Sequence, residues 1–145
     1  MRIREWMTGG PITVAPNTPV SEARSLMQRK RIRHLLVMES ERLVGIITDR
    51  DIRLTLPSPA TSLSVWEVNY LLAKLTVEEV MTKGVITIGP EREVVEAVRL
   101  LLAHKIGALP VMEEGRVVGI ITETDLLRAF ARVLEEHPER APAAA

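Results

Sequence analysis

The sequence predicts a mixed α/β (α+β) protein made of one β-α-β-β-α unit used twice in tandem. Three observations carry this prediction. The chain repeats itself without a gap: Glu5-Trp6-Met7-Thr8 matches Glu79-Val80-Met81-Thr82, and Val44-Gly45-Ile46-Ile47-Thr48 matches Val118-Gly119-Ile120-Ile121-Thr122, both at an offset of 74 residues. Between 5–56 and 79–130 roughly 23 of 52 paired positions are identical, the mark of an internal duplication. Within each copy, apolar runs of strand length alternate with a stretch whose apolar residues recur at three- and four-residue spacing.

Each copy opens with a short apolar strand, Ile12-Thr13-Val14 or Ile86-Thr87-Ile88, broken by Pro16 or Pro90. A helix follows, with Val20, Ala23, Leu26 and Met27 on one face in the first copy and Val94, Ala97, Val98 and Leu101 in the second. Two strands come next, Leu35 to Met38 with Leu43 to Ile47, and Leu109 to Met112 with Val117 to Ile121. The turns between them, Glu39-Ser40-Glu41 and Glu113-Glu114-Gly115, have hairpin length. A last helix opens at Thr48 or Thr122. This divides the chain into a first unit (1–56), a linker with an extra helix (57–76), a second unit (77–136) and a fraying tail (137–145). In the linker, Leu56-Pro57-Ser58-Pro59 stops the first unit, and Ser64-Val65-Trp66-Glu67 fits a capping box opening a helix from Ser64 to Leu75. A unit of about 50 residues buries too little surface to be comfortably stable alone, which explains the pair.

Composition narrows the function. Of 145 residues, 46% are hydrophobic and 26% charged, with a formal net charge of zero, so a broad electrostatic footprint for nucleic acid or anionic lipid is not expected. There is no cysteine, which excludes disulfides and Cys-based zinc sites. Neither a secretory leader nor a membrane-length apolar run is present, and the chain reads as cytoplasmic. No nucleophile elbow, His-Glu-x-x-His or P-loop appears, and the three histidines lack metal-ligand spacing. The expectation is therefore a non-enzyme without metal or cofactor.

The residues that carry chemistry are the two Thr-x-x-Asp segments, Thr48 with Asp51 and Thr122 with Asp125. They admit two readings. In one, each threonine is a helix N-cap and each aspartate a favourable first-turn acid. In the other, the same helix start receives a phosphate on its free N–H groups, and the carboxylate accepts two ribose hydroxyls. The copies differ in one telling place, Lys30-Arg31-Ile32-Arg33-His34, which aligns with His104-Lys105-Ile106-Gly107-Ala108. Lys30 and Arg31 read as a solvated helix end, where cations are favoured.

A duplicated β-α-β-β-α unit with Gly45-Ile46-Ile47-Thr48-Asp49-Arg50-Asp51 and Gly119-Ile120-Ile121-Thr122-Glu123-Thr124-Asp125 resembles the cystathionine-β-synthase (CBS) domain family. The Met7-Thr8 and Met81-Thr82 openings and Leu109-Pro110-Val111 are further marks of it. The segments Pro57 to Leu63 and Trp66 to Leu72 are similar to the acetoin-utilisation regulatory branch, whose members often carry a following ACT domain; the sequence ends before one begins. The resemblance implies two CBS units packed with pseudo-twofold symmetry, a homodimer, and a regulatory module that binds AMP, ADP, ATP or S-adenosylmethionine in clefts between the units. It also implies a regulated partner enzyme. One implied cleft comprises Thr122 and Asp125 with Ile12, Thr13, Ile32, Arg33 and His34, and the other Thr48 and Asp51 with Ile86, Thr87, Ile106, Gly107 and Pro110. In nucleotide-binding members, the positions matching Arg33 and His34 often hold phosphate-contacting side chains, and only the first cleft has such a cation. A ligand-free scaffold acting through homodimerisation or docking is the alternative reading.

Overall fold

The computed structural model describes residues 1–56 and 62–143. Its elements run α1 (Ile3–Trp6), β1 (Thr8–Gly9), β2 (Thr13–Val14), α2 (Val20–Lys30), β3 (His34–Glu39), β4 (Arg42–Thr48), α3 (Asp49–Thr55), α4 (Val65–Lys74), α5 (Val77–Val80), α6 (Val94–His104), β5 (Ala108–Glu113), β6 (Arg116–Thr122) and α7 (Glu123–Glu136), then a 3-10 turn at Pro138–Arg140. The stop expected at Pro57-Ser58-Pro59 lies outside the described residues.

Contacts gather the chain into two compact units, one holding Pro11–Val85 and the other Met1–Gly10 together with the chain from Ile86 onward. The first ten residues thus belong with the second repeat, and 77–85 belong with the first. In the Pro11–Val85 unit the sheet order is β2-β3-β4, with β2 parallel and β4 antiparallel to β3. Its core comprises Val20, Ala23 and Met27 from α2, Leu35, Val37 and Ile47 from the hairpin, and Ile52, Leu72 and Val77. In the other unit the order is β1-β6-β5, over a core that includes Ile3, Val94, Ala97, Leu101, Leu109, Val111 and Ile121.

Local chemistry sets the joints. Helices α2 and α6 each bury three apolar side chains on one face. Each then ends on a left-handed residue, Arg31 (φ 54) or Lys105 (φ 53). The next residue turns back, Ile32 N–H to Met27 O at 3.0 Å and Ile106 N–H to Leu101 O at 3.1 Å, which satisfies carbonyls the helix end would otherwise orphan. Both hairpins turn on two left-handed residues, Ser40 and Glu41 or Glu114 and Gly115, the geometry that suits strand twist.

The first strand forms in one copy only. Leu36 N–H donates to Ile12 O at 3.4 Å, and β2 pairs with β3. The residue 74 positions on is Pro110, which has no N–H, so the expected strand Ile86-Thr87-Ile88 is reduced to one parallel bridge between Ile88 and Val111.

The opening segment of each repeat acts as a strap. Ile3 N–H bonds Arg92 O at 2.9 Å, Arg4 N–H bonds Pro90 O at 2.8 Å, and Met1 O accepts from Val94 N–H at 2.9 Å. The copy repeats this pattern: Val77 to Thr18 at 2.8 Å, Glu78 to Pro16 at 2.9 Å, and Val20 to Leu75 at 2.8 Å. Ile3 and Val77 are fully buried anchors. Around the N-terminal strap Glu91 accepts from Arg4 at 2.7 Å and Arg2 at 2.9 Å, and Arg4 also bonds Glu113. The Arg4 and Arg2 hydrogen bonds hold the Glu91 carboxyl below the usual carboxylate range. A depressed carboxylate contributes above its unfolded value, and that contribution is lost as pH falls through the folded one; the exposure of these groups keeps it small.

Each strap then crosses a hairpin strand at a glycine. Thr8 and Gly9 pair with Ile120 and Gly119, and Thr82 bridges Ile46 beside Gly45. A Cβ on Gly119 would sit 2.8 Å from Thr8 O and 2.8 Å from Met7 Sδ, and one on Gly45 would sit 3.0 Å from Thr82 O. A thioether end can yield, but a backbone oxygen bound in a ladder cannot without breaking it. Gly119→Ala is expected to cost about 1–3 kcal/mol in urea unfolding, as overpacking does. Gly9→Ala, where nothing lies within 4 Å, is expected to stay within about 0.5 kcal/mol of the parent.

Candidate functional site

Both Thr-x-x-Asp segments are reciprocal helix caps. Thr48 Oγ1 accepts from Asp51 N–H at 3.0 Å, and Asp51 Oδ2 accepts from Thr48 N–H at 3.0 Å. Thr122 Oγ1 accepts from Asp125 N–H at 3.3 Å, and Asp125 Oδ2 accepts from Thr122 N–H at 2.9 Å. The capping reading of these residues is therefore realised in both copies.

The carboxylates differ in what else they hold. Asp125 is 3% exposed. Its Oδ2 also accepts from the Thr122 hydroxyl at 3.0 Å, and its Oδ1 accepts from the Thr8 hydroxyl at 3.2 Å and from Arg128 at 3.4 Å. Asp51 is only half-buried, and its Oδ1 has no partner among the described residues. The counterpart of Thr8 is Thr82, which makes no bond to Asp51, and the counterpart of Arg128 is Leu54. Thr8 and Arg128 are the residues the sequence reading did not connect to this site. Thr8 stood in view as part of the repeated Met-Thr opening, but only folding brings it to Asp125.

The other candidates sort by unit. Ile12, Thr13, Ile32, Arg33 and His34 lie in the same unit as Thr48 and Asp51; Ile86, Thr87, Ile106, Gly107 and Pro110 lie with Thr122 and Asp125. Arg33 O accepts from Asp49 N–H at 3.0 Å, and Gly107 O accepts from Glu123 N–H at 3.0 Å, so both residues are fixed at a helix start. The Arg33 side chain is exposed and has no hydrogen bond or ion pair among the described residues. His34 opens β3 opposite Thr48. Thr13 and Thr87 are exposed, Ile12, Ile32, Ile86 and Ile106 half-buried. Pro110 is buried, and its carbonyl accepts from Ile88 N–H at 3.1 Å. Lys30 and Arg31 are exposed at the end of α2, and no helix of the described residues is long and apolar enough to cross a membrane.

The family model of the CBS domain matches residues 3–58 and again 77–132. This chain belongs to the CBS-domain family. An inosine-5'-monophosphate dehydrogenase of Korarchaeum cryptofilum is 37% identical over 138 residues, 94% of this chain but 25% of that enzyme, so the chain spans about a quarter of that relative's length. Among solved structures, a Vibrio cholerae protein assigned to acetoin utilization superposes with a TM-score of 0.76 at 28% identity, covering 98% of both chains. The CBS-pair protein CBSX2 of Arabidopsis thaliana in complex with AMP gives 0.76 at 28% identity, over 91% of this chain and 97% of that one. The CBS domain pair of protein MJ0100, in complex with 5'-methylthioadenosine and S-adenosylmethionine, gives 0.75 at 29% identity, again over 91% and 97%.

Within this CBS pair, burial changes what a carboxylate is worth. From the sequence, loss of Asp125 is expected to cost only a first-turn acid, about 0.3–1 kcal/mol. With its burial and its bonds to Thr8 and Thr122, Asp125 holds more than that, because its removal leaves part-buried donors without their acceptor. Asp125→Ala is expected to cost about 1–3 kcal/mol in urea unfolding, clearly more than Asp51→Ala at about 1 kcal/mol or less.

Proposed function

We propose that the protein is a regulatory module that binds an adenosine nucleotide and reports its presence to a partner. Family membership supports this reading, as do the adenosine ligands held by the two structural relatives. The observation that carries it within this chain is Arg33. Its guanidinium is exposed and unpaired among the described residues, while its backbone is fixed at the start of α3. A planar, permanently charged fork in that state suits a phosphate, whose oxygens it can bond two at a time. The Asp51 and Asp125 carboxylates are the acceptors for ribose hydroxyls. Thr48 and Thr122 orient them, and Ile12, Thr13, Ile32 and His34, with Ile86, Thr87, Ile106, Gly107 and Pro110, line the ligand.

Binding to the folded state raises its melting temperature by mass action. A ligand at a hundred times its Kd adds about 2.7 kcal/mol, which corresponds to a rise of roughly 5–10 °C for a chain of this size. The test is a thermal-shift panel with AMP, ADP, ATP and S-adenosylmethionine, and no response to any of the four sinks the reading. Arg33→Ala is expected to weaken AMP by about 10–100-fold and adenosine by less than about twofold, since a hydrogen bond to a charged group is worth about 1.5–3 kcal/mol. Arg31→Ala is expected to spare both ligands. Equal losses of AMP and adenosine from Arg33→Ala would assign that residue to the fold.

A second reading, assembly into a homodimer, is favoured by an apolar groove of about 680 Å³ between α6 and α7. It is lined by Leu102, Leu126, Leu127 and Phe130, with Lys105 and Glu123 as its charged members. Leu102 and Leu127 are 74% and 66% exposed. One cation and one anion on an apolar face make it complementary to itself across a twofold axis. Light scattering is expected to show a dimer at high micromolar concentration and a monomer for Leu127→Glu. A monomeric parent protein would refute this assembly.

A further inference from the structure

The two Thr-x-x-Asp copies occur in one chain with one repeat pattern, so the difference between them isolates the extra contacts of Asp125, to Thr8, Arg128 and the Thr122 hydroxyl. Asp51 is half-buried with one oxygen lacking a partner among the described residues, whereas Asp125 is 3% exposed with both oxygens engaged. The decisive extra partner is Thr8. It belongs to the N-terminal strap, is itself exposed, and donates to Asp125 Oδ1 at 3.2 Å across 117 positions of sequence. Oδ2 is already held by the backbone and hydroxyl of Thr122.

We infer that Thr8 is a latch: it fastens the Met1–Gly10 strap to the Asp125 carboxylate, and a ribose that takes this carboxylate does so by displacing the Thr8 hydroxyl. The inference rests on the nucleotide reading above and adds a positioning residue and a consequence to it. Asp125 already accepts from four donors, two on each oxygen, so a ligand gains hydrogen bonds there only in exchange for existing ones. The Thr8 bond lies at the end of the β1–β6 pairing, where Thr8 faces Ile120 and Gly9 faces Gly119. Its loss therefore loosens the ladder that holds the strap, and occupancy at Asp125 becomes coupled to the N-terminal segment. At Asp51 the corresponding Thr82 makes no such bond, so that carboxylate carries no equivalent coupling.

The experiment uses the full chain, AMP as the probe, and Thr8→Val beside Thr8→Ser. Valine keeps the shape and removes the donor, and serine keeps the donor. By calorimetry Thr8→Val is expected to bind AMP about tenfold more tightly than the parent, and Thr8→Ser within about twofold of it. The gain is expected to vanish in the Thr8→Val, Asp125→Asn double variant. Without ligand, amide exchange at Thr8 and Gly9 is expected to be faster in Thr8→Val than in Thr8→Ser. Unchanged AMP affinity in Thr8→Val, or a gain that survives loss of Asp125, overturns the coupling. Equal exchange in the two single variants overturns the latch itself. If none of the proteins binds AMP, the coupling fails for that ligand, while the thermal-shift panel decides the nucleotide reading and the exchange measurement decides the latch.

Discussion

In each unit the backbone of a Met-Thr strap lies against a glycine in the second hairpin strand, and the rest of the fold depends on that close approach. A Cβ at Gly119 would come within 2.8 Å of the Thr8 carbonyl oxygen, so any other residue there pushes the strap off the strand. With glycine in place, Thr8 and Gly9 extend the sheet as β1, and Thr82 bridges Ile46 in the other unit. The straps also bring Ile3 and Val77 into the two cores as fully buried anchors. Because each strap precedes one repeat and completes the unit of the other, neither repeat is a closed folding unit along the sequence. In this chain the strap that covers each hairpin is supplied by the other repeat.

Against this symmetric frame, a few substitutions between the copies change what each unit can do. Pro110 in place of Leu36 removes the N–H that would draw Ile86 into the sheet, leaving one bridge where the first copy has a strand. Arg33 in place of Gly107 puts a cation at the start of α3, while the backbone bond to the helix is kept in both copies. Arg128 in place of Leu54 adds a donor to Asp125 and leaves an exposed leucine, 72% accessible, on the other unit. The Arg33 and Arg128 differences leave the backbone plan intact because the backbone bond is preserved and the side chains face solvent, whereas Pro110 costs its unit a strand.

The caps unite structure and chemistry. A Thr-x-x-Asp cap satisfies the first N–H groups of a helix, so the aspartate must be present and oriented before any ligand arrives. A carboxylate so fixed binds ligand hydroxyls without loss of its own side-chain freedom. Under the proposed nucleotide reading, this dual use gives the segment a role in both copies even though Asp51 and Asp125 differ in burial and partners. It also means that a variant at either aspartate tests folding and binding together, and the two are separated by comparing stability with affinity.

The amino-acid sequence alone determined the duplication, both hairpins, the helices opening at Thr48, Ser64 and Thr122, and the family, because these rest on local spacing: a 74-residue offset, apolar period, and cap residues three apart. It also marked Arg33, aligned with Gly107, as a cation at the strand that the second copy lacks. Tertiary structure alone decided which strap completes which unit, since Met7-Thr8 and Met81-Thr82 are nearly identical and either would satisfy the same glycine contact. It likewise decided that Asp125 is closed and Asp51 open. That distinction depends on a hydroxyl 117 positions away and on burial, and neither leaves a trace in the spacing of Thr, x, x and Asp. Short-range patterns encode a backbone's local preference, whereas the state of a buried carboxylate is set by whatever the completed fold packs around it.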